Sequence, residues 1–263
     1  DTYVYDLSTT PTWNNFGTFA YDNTDEFMIE DVTPFFVNYV EGIYVGYKFY
    51  ETAAVEGLID YDATVQYPFG YGLSYTTFTK EMSDITSDGT NLNFSVTVTN
   101  TGAVAGKDVV EIYSNPPYTN GGIEKASANL LDFAKTSELA PGASETIEFS
   151  IPVEQLASYD YMNNGCYVLE AGNYVISAND DSHTVADSKT YTVASEILYN
   201  ESNKRDSDAV AATNEFDFAA GEISYLSRAD GFANYAETTA APATYEMLSL
   251  IHISEPTRPL YIS

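Results

Sequence analysis

The sequence is short of the residues from which several kinds of site are built. It has one cysteine in 263 residues, so no disulfide can form within the chain. That cysteine, Cys166, sits in "GCYVLEAG" among strand formers with no base beside it, which predicts a buried structural thiol rather than a nucleophile. Histidine is nearly as scarce: His183 lies in the polar stretch "NDDSHTV" and His252 close to the end of the chain. Without a cysteine cluster or a second histidine nearby, neither a zinc site nor a Ser/His/Asp triad is expected. Asp180 and Asp181, beside His183, lack the DxDxDG spacing of a calcium loop and read as an ordinary turn. "GYG" at 70–72 is too short for a phosphate-binding fingerprint, and no helix pattern follows it. No metal and no cofactor is expected.

Positive charge is also scarce. Ten Lys and Arg stand against 39 Asp and Glu, a formal net charge of −29 that repels phosphate backbones and argues against nucleic acid as a partner. No block of five consecutive acids marks a dedicated basic partner, so the acids are expected to solvate the surface. No run of about 18 apolar residues exists from which to build a membrane-spanning helix. The opening "DTYVYDLSTT" has neither a methionine nor a signal-peptide pattern and reads as a chain entered partway through. Composition leaves the cellular compartment open.

What is plentiful is tyrosine (23) and phenylalanine (14), within a hydrophobic content of 44% that is ample for a packed core. Together with β-branched residues and short polar turns they lean towards sheet. Four regions separate by pattern. Residues 1–80 are aromatic-rich and irregular. Within them, "EGIYVGYKFYE" (41–51) alternates Ile43, Val45, Tyr47 and Phe49 with Tyr44, Gly46, Lys48 and Tyr50, which suits a strand, although a short buried helix broken near Gly46 fits the same letters.

Residues 83–195 carry the clearest signal. "LNFSVTVTN" (92–100) alternates Leu92, Phe94, Val96 and Val98 with polar residues, predicting a half-buried strand. "TGAVAG" supplies a turn, "KDVVEIYSN" a strand ended by Pro116-Pro117, and "ETIEFSIPV" a strand with Ile147, Phe149 and Ile151 on one face. "CYVLEAGNYVISAND" reads as strand, glycine turn, strand, and "SKTYTVA" closes the set. Six or seven strands over about 110 residues predict an antiparallel β-sandwich. Residues 196–247 have no sustained periodicity and read as an extended linker towards a missing domain, with one short strand at "EISYLS". Residues 248–263, "LSLIHISEPTRPLYIS", match no neighbouring pattern and resemble a translated sequencing adapter, an artefact that would set His252 and Arg258 aside from any site.

Two of these regions resemble the C-terminal portion of glycoside hydrolase family 3, which includes β-glucosidases and β-xylosidases. The matching strings are "EGIYVGYKFYE" and "YPFGYGLSYTTF", followed by "VTVTNTGAVAGKDVVEIYSNPP" and "LLDFAKTSELAPGASETIEFSI". The resemblance implies that 1–80 is the incomplete end of an α/β sandwich domain and 83–195 a fibronectin type III-like domain, the whole being mainly β. "PYTNGGIEKASANLLDF" and "ISYLSRADGF" resemble a subgroup in which the catalytic barrel follows the fibronectin-like domain. The family implies a retaining hydrolysis of β-glycosides with an Asp nucleophile on the barrel and typically a Glu acid/base on an α/β sandwich loop. Neither segment is recognisable in this sequence, so no catalytic residue is assigned. Glu30, Asp31, Glu41 and Glu51 are the nearest carboxylates and are expected to be solvated or salt-bridged surface acids.

Sugars stack on exposed aromatic faces, and Trp13 in "PTWNNFG", beside two amides, is the one candidate substrate-binding residue. Tyr44, Tyr47 and Tyr50 read as core. In "PFGYGLSYTTF" (68–78), Leu73, Tyr75 and Phe78 read as packing residues of a joint between domains. The alternative to a hydrolase fragment is a stand-alone carbohydrate-binding or surface-adhesion sandwich, or a plain spacer. Phe94 and Phe149 fall on inward-facing positions, which leans against a binding platform on the sheet.

Overall fold

The computed structural model describes residues 39–214 and 224–241, together with three two-residue strands nearer the N-terminus: β1 (Tyr3–Val4), β2 (Phe19–Ala20) and β3 (Phe35–Phe36). Trp13, Glu30, Asp31 and the 248–263 segment lie outside the described residues. Two compact units are present. One comprises Asp1–Pro11, Ile43–Thr213 and Ser227–Ala233; the other comprises Thr12–Gly42, Asn214–Leu226 and Asn234–Ser263. In the second, β2 pairs with β3, and Leu226 N donates to Val40 O at 2.8 Å.

The first unit begins its helical part with α1 (Tyr47–Val55) and α2 (Tyr61–Thr64), followed by β4 (Val65–Tyr67), which pairs with β1. There follow β5 (Phe78–Met82), β6 (Thr86–Ser87), β7 (Asn91–Asn100), β8 (Val109–Asn115), β9 (Asn129–Lys135) and β10 (Ser144–Pro152). The remaining strands are β11 (Ser158–Asp160), β12 (Cys166–Leu169), β13 (Gly172–Asn179), β14 (Val185–Val193) and β15 (Ile197–Tyr199). One sheet runs β10-β7-β5, with β6 also on β7. A second runs β14-β13-β8-β9, and a third, smaller one β11-β12-β15. The strand pairs of these sheets are antiparallel, as a chain of short strands and tight turns requires.

The core lies between the first two sheets. Leu92, Phe94, Val96 and Val98 on β7 are at most 4% exposed and cluster with Val110, Ile112, Tyr174, Ile176, Ala178, Phe149 and Ile151. Phe94 and Phe149 oppose each other in register and stack at 5.6 Å. Each such side chain contributes about 1.5–3 kcal/mol by leaving water, which makes this alternation the main driver of the fold. Lys80 on β5 is buried and joins Asp108, at 3.1 Å, and Asp180, both beside the opposite sheet. The first strand of the sandwich therefore starts at Phe78, ahead of the 83 boundary read from sequence.

β8 breaks the alternation. Val110 and Ile112 face the core, yet Glu111 and Tyr113 on the opposite face are also buried. The cover on that face includes α1, so of the two readings of 41–51 the short helix holds and the strand does not. Gly46, at φ 57°, opens a helix in which Phe49 and Ala53 are buried one turn apart, while Ile43 and Val45 are exposed. Apolar residues on both sides of Gly46 imitate a period of two, but the Ala-containing run 52–55 favours helix. Tyr44 is buried as expected, whereas Tyr47 and Tyr50 are half-buried. Tyr47 Oη accepts from Leu130 N at 3.0 Å and Thr52 Oγ1 from Ser127 N at 2.9 Å, fixing the helix to the sheet side.

"PFGYGLSYTTF" divides. Phe69 stacks on Tyr47 at 4.9 Å, and its carbonyl accepts from Ser182 N at 2.8 Å. Gly70 has φ 89°, and a Cβ there would stand 2.2 Å from a Glu111 carboxylate oxygen, so only glycine allows the approach. Phe78 packs against the core. Leu73 and Tyr75, expected to pack, are instead 90% and 102% exposed.

One connection is as read and one is corrected. The strand, glycine turn and strand of 166–179 are present, and the turn passes between sheets: β12 pairs with β11 and β15, while β13 belongs to the larger sheet. The stretch from 196 is not an extended linker at its start. β15 adds to β12, Asp206 N and Ser207 N donate to the Glu154 carboxylate at 2.6 and 3.0 Å, and the Arg205 guanidinium lies 3.6 Å from the Tyr167 ring centre. Of the strand expected at 222–227, residues 224–227 are not strand, and 222–223 lie outside the described residues. Among the described residues no helix is long and apolar enough to cross a membrane.

Candidate functional site

The outer face of the β14-β13-β8-β9 sheet carries polar residues in rows. Ser188, Ser177 and Tyr113 stand opposite one another across three strands, and Val175 stands opposite Asn115 in the next row. Glu51 and Val55 of α1 join these residues around a cavity of about 290 Å³. At one end of it the 180–184 turn closes on itself: Asp180 N donates to Thr184 O at 2.9 Å, and Asp181 Oδ1 accepts from His183 N (3.0 Å) and Thr184 N (2.7 Å). This is a turn, as read from the sequence, and it is closed by its own aspartate.

The turn delivers two side chains to Glu51. Ser182 Oγ donates to Glu51 Oε1 at 2.9 Å, and Tyr61 Oη donates to the same oxygen at 2.6 Å. His183 Nδ1 bonds Glu51 Oε2 at 2.8 Å, while its ring stacks on Tyr61 with centres 3.7 Å apart. Glu51 is 6% exposed, so the expectation of a surface acid is corrected: it is a buried carboxylate held by three donors. Glu41, in the other unit, is also buried rather than solvated.

Burial, reinforced by the bond to Glu51, pushes the Tyr61 hydroxyl well above the usual phenol range. The bond to Glu51 raises His183 above its ordinary value against an opposing desolvation. Glu111, buried beneath the Gly70 loop, is likewise shifted up by desolvation, partly offset by the bond from Tyr113 Oη. With its oxygens facing Tyr61, Ser182 and His183, Glu51 acts as an acceptor that ties α1 to the turn. Cys166 is buried, and burial raises its thiol, in line with the structural role expected. Among the described residues no group of three or more His, Cys, Asp or Glu could hold a metal ion.

The His183–Glu51 bond gives stability a pH dependence of defined sign. A histidine whose folded pKa lies above its unfolded value contributes fully below about pH 6.5, and the contribution disappears as pH rises through the folded value. His183→Gln should therefore lower the melting temperature more at about pH 5.5 than at about pH 9. Equal losses at both pH values would remove the charge from this account.

Sequence reasoning singled out both Glu51 and His183 but did not join them. They are separated by 132 positions, and no periodicity links a helix residue to a hairpin turn. Asn179, which lines the same cavity, carried no signal at all.

Comparisons with known proteins agree with the architecture. Residues 108–182 match the fibronectin type III-like domain. β-Glucosidase A of Butyrivibrio fibrisolvens is 36% identical over 172 residues, covering 59% of this chain and 20% of that protein. A β-glucosidase of Ruminococcus albus is 35% identical over 191 residues, covering 68% of this chain and 18% of that one. Among solved structures, β-glucosidase 3B from Thermotoga neapolitana in complex with α-D-glucose superposes with a TM-score of 0.60 at 35% identity, over 75% of this chain and 24% of that one. The β-glucosidase from Paenibacillus barengoltzii gives 0.60 at 31% identity, over 75% and 20%. The chain thus spans about a fifth of the length of the relatives it matches.

Proposed function

We propose that this chain is part of a family 3 β-glucosidase, in which it forms a fibronectin-like brace and the joint that docks the brace onto the hydrolase. The observation that carries this reading is the extent of the likeness. Coverage of 75% at 35% identity exceeds what residues 83–195 amount to, so the likeness extends beyond the sandwich itself. The joint has the properties such a role needs. α1 and the Phe69–Gly70 loop are locked to the outer face of the sheet, while Leu73 and Tyr75 stay bare beside them.

On this reading the parent hydrolyses β-linked glycosides with retention, using two carboxyls about 5–5.5 Å apart that this chain does not contribute. Glu51 and Glu111, the buried acids nearest the joint, are occupied by internal donors. The barrel would follow the brace. The two strings that suggest this order meet in space: Asn120 Nδ2 donates to Asp230 Oδ1 at 2.7 Å and Asp230 N to Asn120 Oδ1 at 2.8 Å.

The 263-residue chain alone is expected to release no nitrophenol from an aryl β-glucoside. Hydrolysis abolished by substituting one carboxylate of this chain would overturn the brace reading. Retention on insoluble β-glucan would instead favour a carbohydrate-binding module, which the exposed rings of Tyr67, Tyr71 and Tyr75 support.

A further inference from the structure

The cavity beneath α1 contains an unmet requirement. Asn179 is 2% exposed, lines the cavity, and its Oδ1 has no hydrogen-bond partner among the described residues. A buried acceptor left unsatisfied is destabilising, a cost that an occupant able to donate would remove. Local geometry places the side chain there. β13 and β14 slip register between Ala178, opposite Asp187, and Asn179, opposite Val185. Bulges of this kind re-aim a side chain and are common beside binding sites. Ser177, Ser188 and Ser127 add hydroxyls that can donate or accept, and Val175 and Val185 supply an apolar wall.

The lining selects among occupants. At about 290 Å³ the space is near the lower end of small-molecule sites. It has room for one six-membered ring and its hydroxyls. Glu51 and Asp181 disfavour phosphates and carboxylates. A cation gains little, because Glu51 already faces Tyr61, Ser182 and His183. A neutral ring with hydroxyls, each both donor and acceptor, fits an amide, serines and a valine wall together.

We propose that this cavity binds a neutral, hydroxyl-rich molecule of monosaccharide size, one of whose hydroxyls donates to Asn179 Oδ1. The assignment stands whether or not the chain hydrolyses a glycoside. The test is a titration of the ¹⁵N-labelled 263-residue chain with D-glucose, followed by amide shifts. Saturable shifts confined to residues 175–188 and α1, at about millimolar affinity, are expected. Asn179→Leu should weaken binding by about tenfold or more. Because that variant is buried and could misfold, Ser177→Val, which fills the cavity from the sheet side, should weaken binding as well. Absence of saturable shifts, shifts centred on Tyr67–Tyr75, binding unchanged in both variants, or stronger binding of putrescine or glucose 6-phosphate would each overturn the proposal.

Discussion

Replacing Asn100 by alanine is expected to destabilise the sandwich by about 3 kcal/mol, the largest loss from any single polar side chain on β7. Asn100 is fully buried at the end of the strand. Its Nδ2 donates to Val104 O and Leu139 O, both at 2.8 Å, and its Oδ1 accepts from Thr76 Oγ1 at 2.7 Å and Gly102 N at 3.0 Å. One amide thus holds the 101–106 turn, the approach to β10 and the segment entering β5. Alanine leaves four polar groups without that partner, each worth about 1 kcal/mol, and water entering the gap recovers part of the loss. The surroundings have little room to close over it. A Cβ at Gly102 would already stand 2.1 Å from Thr76 Oγ1 and 2.8 Å from Thr77 N. Asn100→Asp should not rescue, since it keeps the acceptor but replaces the donor with a buried charge. Urea unfolding of the three proteins measures the effect, and a loss below about 1 kcal/mol for alanine would show that the turn holds without the amide.

β7 was legible because burial on one face is written into its sequence with a period of two. The observed burial follows Leu92, Phe94, Val96 and Val98 without exception. β8 was legible as a strand but not as a doubly covered one. Glu111 is the reason: an acid in the middle of a strand reads as solvent-facing, and only the loop at Gly70 and the bond from Tyr113 make its burial tolerable. α1 was legible only as one of two readings, because the run around Gly46 is nearly all apolar and a short apolar run fits a strand or a buried helix. Leu73 and Tyr75 were misread for a different reason. Apolar type argues for burial only when a partner is present, and among the described residues these two stay exposed. The candidate site was the least legible part. It is built from residues of two short helices, one turn and the outward face of three strands, whose main sequence mark is polarity.

The same limit governs the second large effect, expected for Glu124→Ala. Glu124 is buried in the loop before β9 and accepts from Tyr44 Oη, from Ser227 Oγ and, at 2.9 Å, from Arg228 N. Two of these donors lie about a hundred positions further along the chain, where composition suggested only a linker. They anchor α3 (Ala229–Phe232), in which Asp230, Gly231 and Phe232 all have positive φ, at 52°, 68° and 62°. A non-glycine residue held there costs about 1 kcal/mol or more, so the turn persists only while its surroundings impose it. Those surroundings are Phe232, packed edge-on against Tyr44 at 5.0 Å and near Phe49 at 5.9 Å, and Arg228, whose Nε donates to Glu56 at 2.6 Å while the guanidinium lies over Tyr118. Removing the Glu124 carboxylate strands two buried donors, Tyr44 Oη and Arg228 N, takes one bond from the half-buried Ser227, and should cost about 3 kcal/mol. It should also free residues 227–233 before the sandwich unfolds, so limited proteolysis is expected to cut there in the variant and not in the wild type. Phe232→Ala should produce the same early cut through loss of packing instead of hydrogen bonds. If both variants unfold in one step with no early cut, the 227–233 segment is an integral part of the sandwich and not a strap laid across it. A strap would leave the fibronectin-like core intact when released, which makes the order of cutting and unfolding the decisive observation.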